Sequence, residues 1–390
     1  MTNEQYDQWR HALHQRQEWR TLFSTDTPAS VTLTRGGEVK DAFGSNNYLG
    51  LAGHPAIKRA AIAAIRDFGM GAGASRLLSG NVSLYERLES HLSRLKSTEG
   101  ALVFSSGYLA NLGALGALVE PGQIVLCDRL NHASLWDAVR QSRGICRVYP
   151  HRDVDRVRQW LKRRKASEQA MIVTDGVFSM EGDIAPLPDL LSVANEYDAK
   201  IYLDDAHGTG LLGPKGEGTC AHFNLTSPRI IQMGTLSKAL GSIGGFVATH
   251  RTIVEYFIHQ AKPFVYTTAL PPAALAAAIA AIEWMQNHHQ ARVRLWRHTR
   301  WFHGRMTALG FDLCGSETPI IPIRIGDHEK TLRFSERLWE EGCWVPAIRP
   351  PTVPKGEARL RVSLMATHTQ RQIKRLADAI ETVGKELRLC

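Results

Sequence analysis

Residues 200–205 read KIYLDD, a short apolar run that ends in two aspartates. Comparable runs recur through the middle of the chain, separated by stretches with a helical pattern: ALVFSS (101–106), QIVLCD (123–128), MIVTD (171–175), RIIQMG (229–234) and GGFVATH (244–250). Strands that alternate in this way with crossover helices are typical of an α/β fold, in which helices cover both faces of a mostly parallel sheet.

The pattern changes after Ala269. An Ala-rich helix and a Trp/His/Arg-rich helical stretch are followed by the strand-like segments IIPIRIG, CWVPAIRP and ARLRVSL. We therefore predict three parts: an N-terminal helical or extended segment (1–45), a large domain (46–285) and a smaller C-terminal α+β domain (286–390).

The composition is that of a globular protein, with 44% hydrophobic and 22% charged residues among 390. The most apolar stretch, Ala269–Ile282, is shorter than the roughly 20 residues that a bilayer span needs. The N-terminus lacks the features of a secretory signal, which predicts a cytoplasmic protein without a membrane contact. Six cysteines without a CxxC pair argue against a zinc knuckle or a disulfide framework.

The net charge of +9 would suit nucleic acid, an acidic carrier protein or a phosphorylated substrate. The densest basic run in the sequence is Arg152–Lys165. It is most simply interpreted as the solvated face of one helix, although it could dock an acidic carrier protein. Because no nucleic-acid signature accompanies the run, we predict that the protein has no nucleic-acid partner.

Two glycine motifs resemble dinucleotide-binding loops, GMGAGA (69–74) and GTGLLG (208–213). The first follows a helical pattern and the second runs into PKGEGT, which cannot open a helix, so both contexts argue against a Rossmann site. A better anion site lies where the strand 101–106 gives way to a helix with Leu109, Leu112 and Leu115 on one stripe. Backbone amides of Gly107 and Tyr108 at that helix N-terminus would bind phosphate, although a plain strand-to-helix turn is an equal alternative.

Lys238 lies in a loop of small residues, GTLSKALGSIGG (234–245). On its own, such a lysine is most often a solvated charge, but its amine could also form a Schiff base with a carbonyl cofactor. Other chemically active residues follow neighbouring strands: His132, Ser179, Asp204, His207 and Thr235. Asp204 and His207 could ligate a metal, but no third ligand has convincing spacing, so we predict no metal site. A lysine, an aspartate, histidines and a phosphate-ready helix together suit pyridoxal 5′-phosphate (PLP).

Seven motifs in order, NNYLGL, SSGY, NHAS, VFSMEGD, DDAHGTG, GTLSKALG and YTTALPP, resemble those of the α-oxoamine synthases, which are fold-type I PLP enzymes. The resemblance covers about residues 40 to 370. It implies a seven-stranded, mostly parallel sheet with a smaller C-terminal domain, and a homodimer with active sites at its interface.

The resemblance also implies roles for single residues. Lys238 would form the Schiff base, Asp204 would hold the pyridine nitrogen, and His132 would stack on the ring; with His207 these form the catalytic set. The other implied cofactor contacts are His207, Ser179 and Thr235 by hydrogen bonds, Gly107 and Tyr108 by their amides, and Thr268 from across the dimer interface.

For the substrates, the resemblance implies that Arg361 binds the carboxylate of the amino acid, with His132, Arg20, Asn46 and Thr352 as further contacts. In ARLRVSL, Arg361 alternates with Leu360 and Val362, so it can face away from the core. Two positions depart from the usual family pattern: Asp175 stands where Glu is frequent, and Ser237 stands where Gly often precedes the lysine.

Residues 342–364 most resemble the family member of biotin biosynthesis. This implies that the protein condenses L-alanine with a pimeloyl thioester, carried on coenzyme A or on acyl carrier protein. Three alternatives stay open: condensation of glycine with an acetyl thioester, condensation of serine with a long acyl thioester, or a non-catalytic interaction protein of the same fold.

Overall fold

The computed structural model describes residues 2–16, 19–22, 24–165 and 167–389 and divides the chain into two compact units. The large unit comprises Asn47–Ser179 and Asp183–Arg292, and the small unit comprises Met1–Asn46, Met180–Gly182 and Val293–Cys390. Residues 1–45, predicted to be a separate segment, belong to the same compact unit as the C-terminal residues. The second division falls after residue 292 rather than after residue 285.

The elements follow one another in an order typical of α/β proteins. The helices are α1 (Asn3–Gln15), α2 (Pro55–Phe68), α3 (Leu84–Lys96), α4 (Gly107–Leu118), α5 (Ala133–Gln141), α6 (Val154–Arg163), α7 (Leu187–Glu196), α8 (Thr219–His222), α9 (Arg251–Gln260), α10 (Lys262–Val265), α11 (Pro272–Asn287), α12 (His289–Ala308), α13 (His328–Glu340) and α14 (Gln370–Glu386), with a π-helical turn at Arg76–Gly80. The strands are β1 (Thr32–Arg35), β2 (Glu38–Ala42), β3 (Gly100–Phe104), β4 (Ile124–Asp128), β5 (Ile145–Tyr149), β6 (Ala170–Asp175), β7 (Lys200–Asp204), β8 (Ile230–Thr235), β9 (Gly245–Thr249), β10 (Ile320–Gly326), β11 (Cys343–Trp344), β12 (Ala347–Ile348) and β13 (Ala358–Ser363).

A seven-stranded sheet with the order β3-β9-β8-β7-β6-β4-β5 organises the large unit. β9 is antiparallel to both of its neighbours, and the other pairs are parallel. This confirms the mostly parallel sheet predicted from the sequence, and all six strand-like runs lie in it. The seventh strand, β5, was not assigned from its residues. It is an edge strand whose Ile145 and Val148 are 42% and 50% exposed, so it lacks the buried apolar run of a central strand.

Alternate side chains of the strands enter two separate hydrophobic clusters. Val125, Cys127 and Val173 pack with residues of α4, α5, α9 and α10. Their neighbours Leu126 and Ile172 pack with residues of α6 and α7. Because each fully buried large aliphatic side chain contributes about 1.5–3 kcal/mol, both faces of the sheet must be covered. The carboxyl ends of the parallel strands are thereby left as the open edge of the large unit.

A buried ion pair ties α3 to the loop that follows β7. The ammonium of Lys96 donates to Asp205 Oδ2 at 2.5 Å, to Thr209 Oγ1 at 2.8 Å and to the carbonyl of Glu217 at 2.6 Å. Asp205 also accepts from the Thr219 hydroxyl at 2.6 Å. Both charged side chains are fully buried. This network holds residues 205–219 directly beside Asp204, which is the last residue of β7.

The small unit contains two three-stranded sheets, ordered β1-β2-β11 and β10-β13-β12. β13 is the central strand of the second sheet and every one of its residues is buried. Arg361, predicted to face away from the core, is therefore only 5% exposed. A central strand that is covered on both faces buries the polar positions of its alternating pattern as well, and these must then find hydrogen-bond partners.

The basic run Arg152–Lys165 forms α6 and its flanks. Three of its arginines contact groups of the large unit: Arg152 donates to Asp183, Arg158 contacts Glu196, and Arg164 donates to the carbonyls of Glu168 and Tyr197. The run therefore offers less unpaired positive charge than its sequence indicates.

Five of the six cysteines lie in the described residues and are free thiols; Cys390 lies outside them. No helix in the described part of the chain is long and apolar enough to cross a membrane.

Candidate active site

The open edge of the large unit holds a cavity of about 160 Å³. Its walls carry most of the cofactor residues named from the sequence: Gly107, Tyr108, His132, Asp204, His207, Thr235 and Lys238. The remaining wall residues are Asn111, Ser134, Asp175, Ala206 and Met233. These residues come from five separate stretches of chain, which the parallel strands bring to one edge. A larger cavity of about 270 Å³, lined by residues such as Ser97 and Thr249, lies at the opposite ends of the strands and lacks this combination of groups.

The N-terminus of α4 forms one end of the cavity. The hydroxyl of Ser106 caps the helix by accepting from the amide of Leu109 at 3.1 Å. Within the described part of the chain, the amides of Gly107 and Tyr108 have no acceptor. A Cβ at Gly245 would lie 2.6 Å from the nitrogen of Gly107, so only glycine lets β9 start this close to the turn. The helix therefore presents two backbone donors and its positive dipole end, which is the arrangement that binds phosphate.

Asp204 lies at the end of β7 and is 3% exposed. Its Oδ1 accepts from the backbone amide of Ala206 at 3.0 Å, and its Oδ2 accepts from the side-chain amide of Asn111 at 2.7 Å. Two N–H donors hold the carboxyl group in one orientation in the cavity wall. A buried carboxylate held in this way can make a charge-assisted hydrogen bond to a protonated ring nitrogen.

His132 forms the N-cap of α5 and also lines the cavity. Its Nδ1 shares a 2.7 Å hydrogen bond with the hydroxyl of Ser134 and accepts from the Ser134 amide at 3.3 Å. Burial lowers the pKa of His132, the charge of Asp204 opposes that change, and Lys238 lowers the pKa further. The imidazole is therefore neutral at neutral pH, which suits a flat ring that stacks on another ring.

Asp175 lies behind His132. Its Oδ2 accepts from the His132 backbone amide at 2.8 Å. Burial, followed by the charge of Asp204, raises the pKa of Asp175 well above its ordinary value. Asp175, which stands where the family frequently has Glu, is thus a buried residue whose carboxyl group supports the backbone of His132.

His207 is buried, and its Nδ1 shares a 2.7 Å hydrogen bond with the phenol of Tyr48. Tyr48 belongs to the motif NNYLGL. The phenol fixes the imidazole from behind, so that the ring can present its other edge to the cavity.

Lys238 follows β8 in a tight loop. The carbonyl of Gly244 accepts from the Leu236 amide at 2.9 Å, from the Thr235 hydroxyl at 2.8 Å and from the Ser237 hydroxyl at 3.3 Å. Ser237, where the family often has glycine, thus adds one more bond that steadies the backbone beside Lys238. Lys238 is half-buried and its side chain lines the cavity.

Two predicted cofactor residues lie elsewhere. The described residues that line the cavity do not include Ser179 or Thr268. Ser179 is partly buried in the loop after β6, and Thr268 is exposed and pairs with Ser75. An exposed Thr268 is compatible with a contact across a dimer interface, as the resemblance implies.

Four of the five predicted substrate residues form two pairs in the small unit, whereas the fifth, His132, lines the cavity of the large unit. The Arg361 guanidinium donates to Asn46 Oδ1 at 3.2 Å and to Ser363 Oγ at 2.9 Å. Arg20 donates to the hydroxyl of Thr352 at 3.0 Å. The structure therefore brings each of these residues beside another member of the predicted set, although the members of each pair are more than 300 residues apart in sequence.

Asn111 is a site residue that the sequence motifs did not predict. Of the predicted stripe, Leu115 is buried and Leu112 packs partly buried against the core cluster, while Leu109 is only partly buried. The fully buried residues of α4 are Leu115, three small residues and one amide: Ala110, Asn111, Gly113, Ala114 and Leu115. The one signal that could have found Asn111 is a lone amide in an otherwise apolar helix, since such a residue is buried only with partners.

In the described residues, no three His, Cys, Asp or Glu side chains are arranged to hold a metal ion. Asp204 instead binds two nitrogen donors, and His207 binds a phenol.

Comparison with known proteins agrees with this geometry. The model of the family described as aminotransferase class I and II matches residues 40–380. The 8-amino-7-oxononanoate synthase of Geobacter sulfurreducens is 48% identical over 345 residues, which cover 88% of this chain and 88% of that protein.

Solved structures are similar along most of the chain. A structure of SPT (serine palmitoyltransferase) with its PLP internal aldimine has a TM-score of 0.93 at 30% identity. It covers 100% of this chain and 98% of that one. The 8-amino-7-oxononanoate synthase of Francisella tularensis has a TM-score of 0.78 at 27% identity and covers 89% of this chain and 98% of that one. The chain therefore belongs to the aminotransferase class I and II family, in the branch that includes the 8-amino-7-oxononanoate synthases.

Proposed function

We propose that this chain is a PLP-dependent acyltransferase that condenses L-alanine with a pimeloyl thioester to give 8-amino-7-oxononanoate, CO₂ and the free thiol, a step of biotin biosynthesis. The observation that carries the proposal is the cavity in which Lys238, Asp204 and His132 meet the N-terminus of α4. Identity of 42–48% to several 8-amino-7-oxononanoate synthases supports the choice of reaction.

The residues present fit PLP. The amides of Gly107 and Tyr108, which have no acceptor in the described part of the chain, suit its phosphate. The carboxylate of Asp204 suits the protonated ring nitrogen and the neutral ring of His132 suits the ring face. We propose His207, Thr235 and Ser179 as further hydrogen-bond partners of the cofactor.

When bound, PLP supplies an electron sink that makes the Cα proton of the amino acid acidic. We propose that Nζ of Lys238 removes that proton and returns it after decarboxylation. Asp204 keeps the ring nitrogen protonated. A carbon–carbon bond forms between Cα of alanine and the thioester carbonyl carbon, the thiol leaves, and the alanine carboxyl group leaves as CO₂. Arg361 would bind that carboxylate before it leaves, with Arg20, Asn46, His132 and Thr352 as further substrate contacts.

One observation favours a second candidate, the condensation of serine with a long acyl thioester. The SPT backbone superposes on this chain with a higher TM-score than the Francisella tularensis synthase does, 0.93 against 0.78. Sequence identity points the other way, 48% against 30%. We give identity more weight, because the TM-score compares a backbone that the whole family shares, whereas identity also compares the side chains that select a substrate.

The test is a comparison of amino acids. With PLP and pimeloyl-coenzyme A, we expect kcat/KM for L-alanine to exceed that for glycine or L-serine by about tenfold or more, since one methyl or hydroxyl group is worth about that in a fitted pocket. Product formation followed by mass spectrometry gives the three values. A preference for serine with palmitoyl-coenzyme A, or for glycine with acetyl-coenzyme A, would contradict the proposed substrates. A protein that takes up no PLP would instead favour a non-catalytic interaction protein.

We also propose that the protein is a homodimer. The large unit carries exposed apolar side chains on two adjacent segments: Met70, Leu77 and Leu78 on one, and Tyr266 on the other. The two segments are joined by the bridge between Ser75 and Thr268. Leu78 and Tyr266 are 81% and 83% exposed, which is unusual for side chains that water solvates poorly. A second copy of the chain would cover this patch and place Thr268 at the interface.

Leu78→Glu should weaken the dimer by about tenfold or more, because a charge would enter an apolar interface. Sedimentation velocity over a range of protein concentrations measures the change. Val39→Glu is a control at another exposed apolar residue, 65% exposed, and should keep the wild-type assembly. A wild-type protein that is monomeric at all concentrations would refute the dimer.

We propose that the enzyme works in the cytoplasm, which is compatible with five free cysteines among the described residues. The thioester would be carried on coenzyme A or on acyl carrier protein.

A further inference from the structure

One buried amide connects the two sides of the proposed cofactor site. Asn111 is fully buried, and its Nδ2 donates to Asp204 Oδ2 at 2.7 Å and to Ser134 Oγ at 2.8 Å. Its Oδ1 accepts from the phenol of Tyr202 at 3.0 Å. Both amide hydrogens and the carbonyl oxygen are therefore used, and Asn111 belongs to neither of the loops that it connects.

The chemistry of the partners determines which group donates and which accepts in each of these hydrogen bonds. A carboxylate oxygen only accepts, so the amide group must turn Nδ2 toward Asp204 and Oδ1 toward Tyr202. Because the hydroxyl oxygen of Ser134 accepts from Asn111, its own proton is left to donate elsewhere. The neighbour in reach is Nδ1 of His132, at 2.7 Å.

The tautomer of His132 follows from this assignment of donors and acceptors. Nδ1 receives the Ser134 hydroxyl and also the Ser134 backbone amide, at 3.3 Å. Two donors aimed at Nδ1 require that it carry no proton, so in the neutral ring the proton is on Nε2. A His132 with this tautomer can donate a hydrogen bond from Nε2 but cannot accept a proton there.

We propose that Asn111 is a positioning residue for the proposed reaction, which orients the Asp204 carboxylate together with the Ala206 amide and fixes the tautomer of His132 together with the Ser134 backbone amide. The inference rests on the proposed function, since Asp204 and His132 are proposed to bind the two sides of one ring. It adds that the ring-nitrogen contact and the ring-face contact are coupled: a change at Asn111 disturbs both of them, whereas a change at Ser134 disturbs only His132.

Two measurements test the coupling. The first is the PLP dissociation constant of the apo-protein, from the quenching of tryptophan fluorescence. The second is the tautomer of His132, from ¹⁵N NMR of histidine-labelled protein with the resonance assigned by its loss in His132→Gln. In the wild type we expect the proton on Nε2.

In Asn111→Ala, Asp204 loses one of its two donors, so the PLP dissociation constant should rise about 10- to 100-fold, as for a hydrogen bond to a charged group. The His132 resonance should also show a mixture of tautomers, because the Ser134 hydroxyl is no longer held as a donor and only the longer bond from the Ser134 backbone amide, at 3.3 Å, still favours an unprotonated Nδ1. In Ser134→Ala, the tautomer should shift, while the PLP dissociation constant should rise less than in Asn111→Ala, because Asp204 keeps both of its donors. Tyr202→Phe removes one neutral hydrogen bond, and its PLP dissociation constant should rise by about 2- to 10-fold.

Asn287→Ala is the matched control, since this exposed asparagine makes a comparable amide hydrogen bond at 2.9 Å to the carbonyl of Glu283. It should reproduce both wild-type values. The inference is overturned if the wild-type ring carries its proton on Nδ1, or if Asn111→Ala keeps wild-type PLP affinity. Should Asn111→Ala not fold, an unchanged tautomer in Ser134→Ala would overturn the inference. A wild-type protein without PLP affinity would refute the proposed function instead, while the tautomer of the apo-protein would still test the hydrogen-bond network.

Discussion

Replacement of Lys238 by alanine is expected to lower kcat by at least about 10⁴-fold, the upper end of what a positioned proton-transfer group contributes. The reason is that Lys238 is the one lysine among the described residues that line the cavity with Asp204 and His132. The same change should abolish the covalent attachment of PLP. Borohydride reduction followed by peptide mass spectrometry should find the cofactor on Lys238 in the wild type and on no lysine in the variant.

Lys215→Ala serves as the control, because Lys215 is an exposed lysine and does not line the cavity. It should keep the wild-type turnover and the attachment of PLP to Lys238. The thermal unfolding of Lys238→Ala should stay near that of the wild type, since its half-buried side chain is not part of either hydrophobic cluster. Full turnover in Lys238→Ala, or reduction onto another lysine, would refute the assignment.

Replacement of Lys96 by alanine should have the largest effect on stability, about 3–5 kcal/mol lower free energy of unfolding of the large unit. The change leaves the fully buried Asp205 carboxylate without its cation and removes the donor to Thr209 and Glu217. Urea unfolding followed by circular dichroism measures the difference. Since the network holds the loop after Asp204, the variant should also bind PLP more weakly than the wild type.

Two further variants separate the ion pair from its surroundings. Lys385→Ala removes an exposed lysine, 64% exposed, that pairs with Glu381 at 2.7 Å, and should cost less than about 1 kcal/mol. The double variant Lys96→Met/Asp205→Asn should be more stable than Lys96→Ala, because it leaves no buried unpaired charge. If Lys96→Ala lowers the free energy of unfolding no more than Lys385→Ala does, the buried ion pair does not stabilise the large unit as predicted.

The residues of the strand ends could be predicted because their arrangement follows from local patterns and from one topological rule. Apolar runs identify β6, β7 and β8, and parallel strands bring their carboxyl ends to one edge. Asp204, Thr235 and Lys238 therefore meet wherever such a sheet forms. The amides of Gly107 and Tyr108 follow from the same reasoning, because a strand that breaks at glycine into a helix exposes its first N–H groups.

Other features depend on packing and left no local signal. β5 is an edge strand with exposed apolar residues, and β13 is buried on both faces, so the alternation of Arg361 with Leu360 and Val362 did not mean exposure. Alternation reports two faces of a strand, but only the elements packed on each face decide which of them meets water.

The sequence by itself determined the class of the sheet, the lysine and aspartate at its open edge, and the family. Only the tertiary structure decided which distant groups support them. Asn111 lies 93 residues from Asp204, and Lys96 lies 109 residues from Asp205. A buried polar side chain needs partners, but its own sequence neighbourhood does not say which ones, because the partners are chosen by the packing of helices against the sheet.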